Sequence, residues 1–481
     1  MASRIGESSD FKFHYRCSRL KITHLCFADD LLIFSEASHP SITVVKEALL
    51  EFEDLSGLKT NPSKSSVFFS GISDRVKLLL LDELQMQEGH LPVRYLGVPL
   101  ISSKLSSADC LVLLTKITSR IDSWLSKHLS YAGRLQLLAS ILYSFQVFWT
   151  GIFILPKKIL KAMEQKFNRF LWNGTDDCAA KAKVAWSEVC FPKKEGGLGL
   201  KRLEVWNNSS MLRHVWSIFA RSGSLWVAWI HEYLLKGKSF WNVSIPQTCS
   251  WSWRKILKLR PLAKLFLKFE VGTGHHIHLW VDNWHPAGIL LDKYGFRAIY
   301  DAQSNKDARL SSVLSNGCWA WRPARSESLV EIQSRIPEVL IGECDKPIWT
   351  ASKSGSFVSS DTWEALRNKH AVVAWWPLVW FAYAIPKQAF VLWLAMRDGL
   401  TTGERLARWG FTGDVLCLFC RNCLESRDHL FFECGFSSRI WKDVLGRCCV
   451  DDPPTVWAEV LRIGCNSWKK RLSLISCVDL C

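Results

Sequence analysis

Residues 417–434 carry the pattern that most restricts how this chain can fold. The motif Cys417-x2-Cys420 is followed, after eight residues, by His429-x4-Cys434. Two cysteines separated by two residues can hold one metal ion from a tight turn, and a histidine and a cysteine further on can complete a tetrahedral site. Thiolate and imidazole donors favour zinc over magnesium or calcium. The pattern therefore predicts a small C-terminal domain organised around a structural zinc ion.

Two alternatives to this ligand set stay open. Cys420 and Cys423 are also two residues apart, so Cys423 is a rival ligand. The other alternative is a group of buried cysteines that bind no metal. The gap between the two ligand pairs is shorter than in many zinc fingers, but the spacing still favours zinc over free thiols.

The other cysteines and the first residues indicate a reducing compartment. The chain has 17 cysteines, an odd number, and its opening sequence MASRIGESSDFKFHYR lacks the apolar run of a secretory signal. Disulfides are rare where thiols are kept reduced, so we expect free thiols or metal ligands. We therefore expect an intracellular protein, nuclear or cytoplasmic, that is not secreted.

Length and charge narrow the class of protein further. The 481 residues correspond to roughly three domains. Lys and Arg number 61 against 45 Asp and Glu, a net charge of +16. This excess favours a polyanionic partner, with nucleic acid ahead of an acidic membrane.

An uncharged stretch at residues 135–156 raises the question of a membrane span. Its 22 residues are long enough to cross a bilayer. However, Gln136, Ser140 and Ser144 repeat every four residues and would form a polar stripe on a helix. We expect a buried helix in a globular domain, and no membrane association.

A pair of adjacent aspartates lies between two apolar runs near the N-terminus. The sequence HLCFADDLLIF predicts a strand, an acidic turn at Asp29 and Asp30, and a second strand. Adjacent carboxylates suit magnesium-dependent phosphoryl transfer, because magnesium takes oxygen ligands and pairs with phosphates. The alternative is an ordinary solvated acidic turn, since such turns are abundant.

Residues 107–174 are predicted to be helical and carry many cations. The candidate nucleic-acid contacts are Lys116, Arg120, Lys127, Arg134, Lys166 and Arg169. A surface that follows phosphates and a merely solvated basic helix face are both compatible with this pattern.

Two further segments are interpreted as structural. KKEGGLGLK is a glycine turn flanked by lysines, without the GKS or GKT ending of a phosphate loop. GHHIHLWVDNWHP could place His276, His278 and Asp282 on a metal, but its alternation favours a plain β-hairpin.

The ordered series of motifs resembles the C-terminal portion of plant LINE-type, or non-LTR, retrotransposon reverse transcriptases. The matching segments are HLCFADDLLIF, GLKTNPSKS, YLGVPL, LSYAGRLQLL, VCFPKKEGGLG, DNW, IPKQAFVLWLA and ESRDHLFFEC. The resemblance covers nearly everything from residue 11 to about 445. Each motif alone is weak, but their shared order is highly specific.

The resemblance implies an α+β chain with the parts of an RNA-directed DNA polymerase. The expected divisions are a partial palm with a catalytic hairpin (1–106), a helical thumb (107–175), a mixed Trp-rich connector (176–349), a zinc-binding domain (350–445) and a tail (446–481). It further implies that Asp29 and Asp30 are the catalytic carboxylates that bind magnesium. Lys64 would lie near the incoming nucleotide, and the partners would be an RNA template and a DNA primer.

The resemblance also implies a missing part. The family's polymerases use a further aspartate from an earlier palm strand and a fingers region, and neither precedes Asp29 here. Half of a two-metal site should not support two-metal chemistry. We therefore expect a truncated reverse transcriptase that is inactive alone. The alternative is a non-catalytic, zinc-dependent nucleic-acid-binding protein derived from the retroelement.

Overall fold

The chain divides into two compact units, each built from two separate segments of sequence. The computed structural model describes residues 2–101, 103–124, 129–174, 182–315, 317–447 and 453–465. One unit comprises Met1–Lys104 and Leu212–Val358, and the other comprises Leu105–Met211 and Ser359–Cys481. The five-part division expected from the sequence stays a prediction.

Among the described residues, strands occur as short pairs, all of them in the first unit. They are β1 (His24–Phe27), β2 (Asp30–Ile33), β3 (Ser66–Val67), β4 (Gln87–Glu88), β5 (Val93–Tyr95), β6 (Val98–Leu100), β7 (Leu267–Glu270), β8 (Leu314–Ser315), β9 (Cys318–Trp319) and β10 (Lys346–Trp349). The pairs β1–β2, β5–β6, β8–β9 and β7–β10 are antiparallel, and β3–β4 is parallel.

Helices are present in both units, so the expected mixture of helix and strand is confirmed. They are α1 (Ala2–Glu7), α2 (His39–Ser56), α3 (Asp74–Leu84), α4 (Leu111–Asp122), α5 (Tyr131–Leu137), α6 (Tyr143–Thr150), α7 (Lys157–Asn173), α8 (Trp186–Val189), α9 (Leu203–Ala220), α10 (Leu225–Trp229), α11 (Trp251–Lys258), α12 (Arg260–Lys264), α13 (Leu290–Asp301), α14 (Glu327–Ser334), α15 (Ser359–Leu366), α16 (Trp376–Val379), α17 (Pro386–Met396), α18 (Gly403–Arg408), α19 (Gly435–Arg447) and α20 (Trp457–Ile463).

Local sequence signals set several helix ends. α2 and α7 both stop at a glycine, Gly57 and Gly174, with φ of 72° and 80°. This left-handed backbone is easy only for glycine, so it ends a helix cleanly. At the start of α5, the Ser130 hydroxyl accepts a hydrogen bond from the Gly133 backbone N–H at 3.2 Å. Both helices therefore end where the local sequence supplies a glycine.

The uncharged stretch at 135–156 is divided among several elements. It contains the end of α5, a π-helical segment at Leu138–Leu142, and α6, which ends at Thr150. Among the residues with assigned positions, none of the helices is long and apolar enough to cross a membrane.

The β-hairpin predicted for GHHIHLWVDNWHP does not form. Buried Asp282 accepts hydrogen bonds from the His278 backbone N–H at 2.7 Å and from Trp241 Nε1 at 2.6 Å. Asp345 accepts three more from backbone N–H groups within residues 272–276. The segment is wound into turns around these two carboxylates, because they satisfy backbone groups that a hairpin would pair with each other.

Candidate metal centre

A tight hairpin turn holds the first two cysteines of the cluster. The backbone N–H of Cys417 donates to the carbonyl of Cys423 at 2.8 Å, and the N–H of Arg421 donates back to the carbonyl of Cys417 at 2.7 Å. Arg421 adopts a left-handed φ of 54°, which reverses the chain just after Cys420. The turn therefore presents Cys417 and Cys420 from one short loop.

A single wide helical turn places the other two candidate ligands. Residues His429–Glu433 form a π-helical turn, in which the backbone N–H of Cys434 donates to the carbonyl of His429 at 2.9 Å. The Ser426 hydroxyl accepts from the His429 N–H at 3.0 Å and fixes the start of the turn. A bond between residues five apart brings both side chains to the same side. α19 begins directly after Cys434.

These four side chains meet around one point. The ligand atoms of Cys417, Cys420, His429 and Cys434 all lie within 4.8 Å of one another. Cys417 Sγ is 3.9 Å from Cys434 Sγ, and Cys420 Sγ is 3.3 Å from His429 Nε2. Tetrahedral zinc with sulfur and nitrogen ligands gives donor separations of roughly 3.5–3.8 Å, and the two distances lie within a few tenths of an ångström of that range. The arrangement therefore fits a structural zinc ion.

Burial and hydrogen bonding shift the pKa values of the two thiols in the turn in opposite directions. Burial raises the pKa of the Cys417 thiol. A hydrogen bond from the backbone N–H of Asn422 is the main cause that lowers the pKa of Cys420, to about 6. The rival ligand Cys423 is exposed and lies outside the four-residue cluster, although its carbonyl supports the turn.

Aromatic packing supports the cluster from one side. Phe432, inside the π-helical turn, belongs to a buried group with Ala395, Trp457 and Val460. Its ring lies 5.0 Å from Trp441 of α19 and 5.6 Å from Trp457 of α20, measured between centroids. The turn that carries His429 is thus anchored to α17, α19 and α20 through one phenylalanine.

Comparison with known proteins agrees with this geometry. Residues 357–441 match the family model described as zinc-binding in reverse transcriptase. A protein of Arabidopsis thaliana described as a putative ribonuclease H protein is 25% identical over 368 residues, covering 72% of this chain. An uncharacterized mitochondrial protein of the same plant is 25% identical over 139 residues, covering 29% of this chain and 90% of its own length. These similarities are consistent with a protein related to the reverse transcriptases of plant retrotransposons.

This relationship covers only part of the longer relative. The chain spans 58% of the length of the putative ribonuclease H protein. All four candidate ligands fall inside the reverse-transcriptase zinc-binding domain at 357–441, and the donor set fits the metal in that domain's description. The resemblance that the ordered motifs predicted is confirmed by this domain match and by the plant relatives.

The two predicted catalytic carboxylates lie elsewhere, on the β1–β2 hairpin. Phe27 pairs with Asp30, so Ala28 and Asp29 form the two-residue turn, with a left-handed φ of 51° at Ala28. Both aspartates are exposed. Across the described part of the chain, the Cys3His cluster is the only group of three or more His, Cys, Asp or Glu side chains close enough to share a metal ion. Magnesium binding at Asp29 and Asp30 therefore has no support from a third ligand.

Lys64 is also exposed, in a turn of the same unit. Its backbone N–H donates to the carbonyl of Asn61 at 3.1 Å, and the Asn61 side chain accepts from the N–H of Ser63 at 3.1 Å. In the described residues, no hydrogen bond or ion pair joins Lys64 to Asp29 or Asp30. Its predicted role at the nucleotide stays a prediction.

The predicted nucleic-acid contacts have different environments. On α4, Lys116 and Arg120 are exposed. On α7, Arg169 is exposed and Lys166 is half-buried. Lys127 lies outside the described residues. Arg134 is only 8% exposed and donates to the carbonyls of Leu171 and Trp172 at 3.4 and 3.3 Å. Its expected phosphate contact is corrected, because this guanidinium is used to satisfy the C-terminal end of α7.

A buried ion pair in the second unit has no local signal in the sequence. Glu195, in the glycine turn KKEGGLGLK, is bound by Arg367, which lies 172 residues later in the chain. The next residue, Gly196, offers its carbonyl to Trp393 Nε1 at 2.9 Å and to Arg397 Nε at 2.8 Å. The glycine turn therefore docks residues of the zinc-binding domain, a role that its sequence did not indicate.

Proposed function

We propose that this chain is a retrotransposon-derived nucleic-acid-binding protein whose C-terminal domain is ordered by zinc. The ion would be held by Cys417, Cys420, His429 and Cys434. It would cross-link the turn to the π-helical segment and would take part in no chemical step. The observation that carries the proposal is the match of 357–441 to a reverse-transcriptase zinc-binding domain together with the convergence of four suitable donors inside it.

Cationic helices in the same unit would supply the phosphate contacts. Helices α4 and α7 pack together, and the Trp124 ring lies 5.5 Å from the Phe170 ring. The guanidinium of Arg120 lies over Trp124 at 5.8 Å, and Arg169 precedes Phe170. This contact puts Arg120 and Arg169 at the same end of the helix pair. The net charge of +16 supports a polyanionic partner.

By descent, the chain would be a non-LTR, LINE-type reverse transcriptase with a partial palm and a helical thumb. Its ancestral partners would be an RNA template and a DNA primer. We infer that the chain alone does not polymerise, because Asp29 and Asp30 project from an exposed two-stranded hairpin and share no metal-sized cluster with a third described carboxylate. Two-metal phosphoryl transfer needs more carboxylate ligands than this pair offers.

Two assays test the proposal. The first measures binding of labelled single-stranded RNA and DNA at increasing salt. Binding should weaken linearly on logarithmic axes, and affinity that is independent of salt would contradict phosphate recognition. The second measures primer extension on an RNA template with magnesium. No extension is expected, and extension that is lost in Asp29→Ala would overturn the inference of inactivity.

A further inference from the structure

Two exposed phenylalanines stack on each other beside the candidate metal centre. The ring centroids of Phe419 and Phe436 are 4.8 Å apart, and the ring planes differ by 17°. The two residues are 56% and 55% exposed. Phenylalanine is usually buried, so a near-parallel pair that stays this exposed is an informative exception.

The four candidate ligands determine where both rings lie. Phe419 stands in the turn between Cys417 and Cys420, while Phe436 is the second residue after Cys434. The backbone N–H of Ser438 donates to the carbonyl of Cys434 at 2.8 Å, which joins the first turn of α19 to the cluster. Closing the cluster around one ion therefore holds the two rings side by side on an ordered support.

Two arginines lie close in sequence to this pair of rings. Arg421 is two residues after Phe419, and Arg439 is three residues after Phe436, on the same face of α19. Both are exposed, and neither forms an ion pair with any residue that the structure describes. Exposed aromatic rings with exposed arginines two or three residues away offer two complementary features for an unpaired nucleotide, a face for its base and a cation for its phosphate.

We propose that Phe419 and Phe436 form a stacking platform for unpaired bases of single-stranded nucleic acid, with Arg421 and Arg439 contacting the adjacent phosphates. This inference rests on the proposed nucleic-acid binding and specifies one surface for it. The charge of these two arginines favours a nucleic acid over a protein segment as the occupant. Stacking recognises the face of a base, so the platform should accept both RNA and DNA.

The test uses the full chain loaded with zinc and four labelled oligonucleotides. These are a single-stranded RNA, a single-stranded DNA, a duplex, and an abasic strand with the same number of phosphates. Phe419→Ala and Phe436→Ala are compared with Phe411→Ala. Phe411 is a matched control because it is 52% exposed in the same unit and stacks on no aromatic ring among the described residues.

The platform predicts a specific pattern of affinities. Phe419→Ala and Phe436→Ala should each weaken binding of the single strands roughly tenfold, and should leave the salt dependence and the zinc content unchanged. Phe411→Ala should bind like the wild type. The abasic strand should bind wild type and platform variants equally, because it offers phosphates without bases.

Other results separate the possible failures. If the wild type binds single strands in a salt-dependent way but the platform variants bind equally well, the platform is wrong and the proposed function stands. If no strand binds in a salt-dependent way, both proposals fall. If Phe436→Ala changes only the sedimentation coefficient and not the affinity for oligonucleotides, this surface is a protein interface and the platform is overturned.

Discussion

Glu195 accepts hydrogen bonds from both terminal nitrogens of Arg367, at 2.5 and 2.7 Å. Each side chain is only 9% exposed. Arg367 also binds Glu364 of α15. The central carbon of its guanidinium lies 5.6 Å from the centroid of the Trp363 ring. The pair joins the glycine turn to the start of the zinc-binding domain within the second unit. The start of that domain is therefore held to a segment that lies 172 residues earlier in the chain.

Arg367→Met should strongly destabilise the second unit. It leaves the buried Glu195 carboxylate without its partner, which costs about 3–5 kcal/mol in the free energy of unfolding. Arg408→Ala is the control, because it removes an exposed pair with Glu404 and should cost less than about 1 kcal/mol. Urea unfolding followed by tryptophan fluorescence measures both. Equal effects of the two substitutions would show that the buried pair has no special role.

The same pair should make stability depend on pH. The hydrogen bond from Arg367 lowers the pKa of Glu195 below its ordinary value of 4.5. Because the folded-state pKa is depressed, this stabilisation is complete above about 4.5 and is lost as the pH falls through the folded-state value. The stability difference between wild type and Glu195→Gln should therefore be largest at neutral pH and shrink in acid. A difference that stays constant from pH 7 to pH 3 would contradict this assignment.

Gly197→Ala should also disrupt the glycine turn. An added Cβ would lie 2.0 Å from the carbonyl oxygen of Phe191 and 2.7 Å from that of Glu188, and both obstacles are backbone. We expect a loss of about 1–3 kcal/mol in the free energy of unfolding. Gly446→Ala, inside α19 and with open space around its Cβ, should be neutral or stabilising by up to about 1 kcal/mol. Comparison of the two urea midpoints tests the steric argument.

Substitutions of Arg120 and Arg134 should have different effects, the first on phosphate binding and the second on the free energy of unfolding. Arg120→Ala should reduce the slope of log affinity against log salt by about one unit, as expected for one lost phosphate contact. Arg134→Met should leave that slope unchanged but lower the free energy of unfolding by about 1–3 kcal/mol, because buried carbonyls at the end of α7 lose their donors. A lower slope in Arg134→Met would contradict its structural role.

Local patterns in the sequence predicted the parts of the molecule that depend on neighbouring residues. The spacing of Cys417, Cys420, His429 and Cys434 was sufficient to place them together, because a turn and a helical segment bring such residues close. Gly57 and Gly174 end α2 and α7 in the same local way, since the left-handed backbone at each position favours glycine.

Contacts between distant segments could not be predicted in this way. The presence of a cation on a predicted helix does not reveal its burial, so Arg134 was expected at the surface although it caps α7. Alternating residues around His278 resembled a strand, but Asp282 and Asp345 take up the backbone donors of that segment. The Glu195–Arg367 pair, 172 residues apart, has no local signal at all.

The zinc content of three proteins tests the central claim most directly. Purified wild type, Cys434→Ser and Cys423→Ser are analysed by inductively coupled plasma mass spectrometry, with circular dichroism to check folding. The four-ligand centre predicts one zinc ion per chain in the wild type and in Cys423→Ser, because the exposed Cys423 thiol lies outside the cluster. It predicts loss of zinc in Cys434→Ser, with loosening of the surrounding helices. Full zinc occupancy in Cys434→Ser, or loss of zinc in Cys423→Ser, would contradict the assigned ligands.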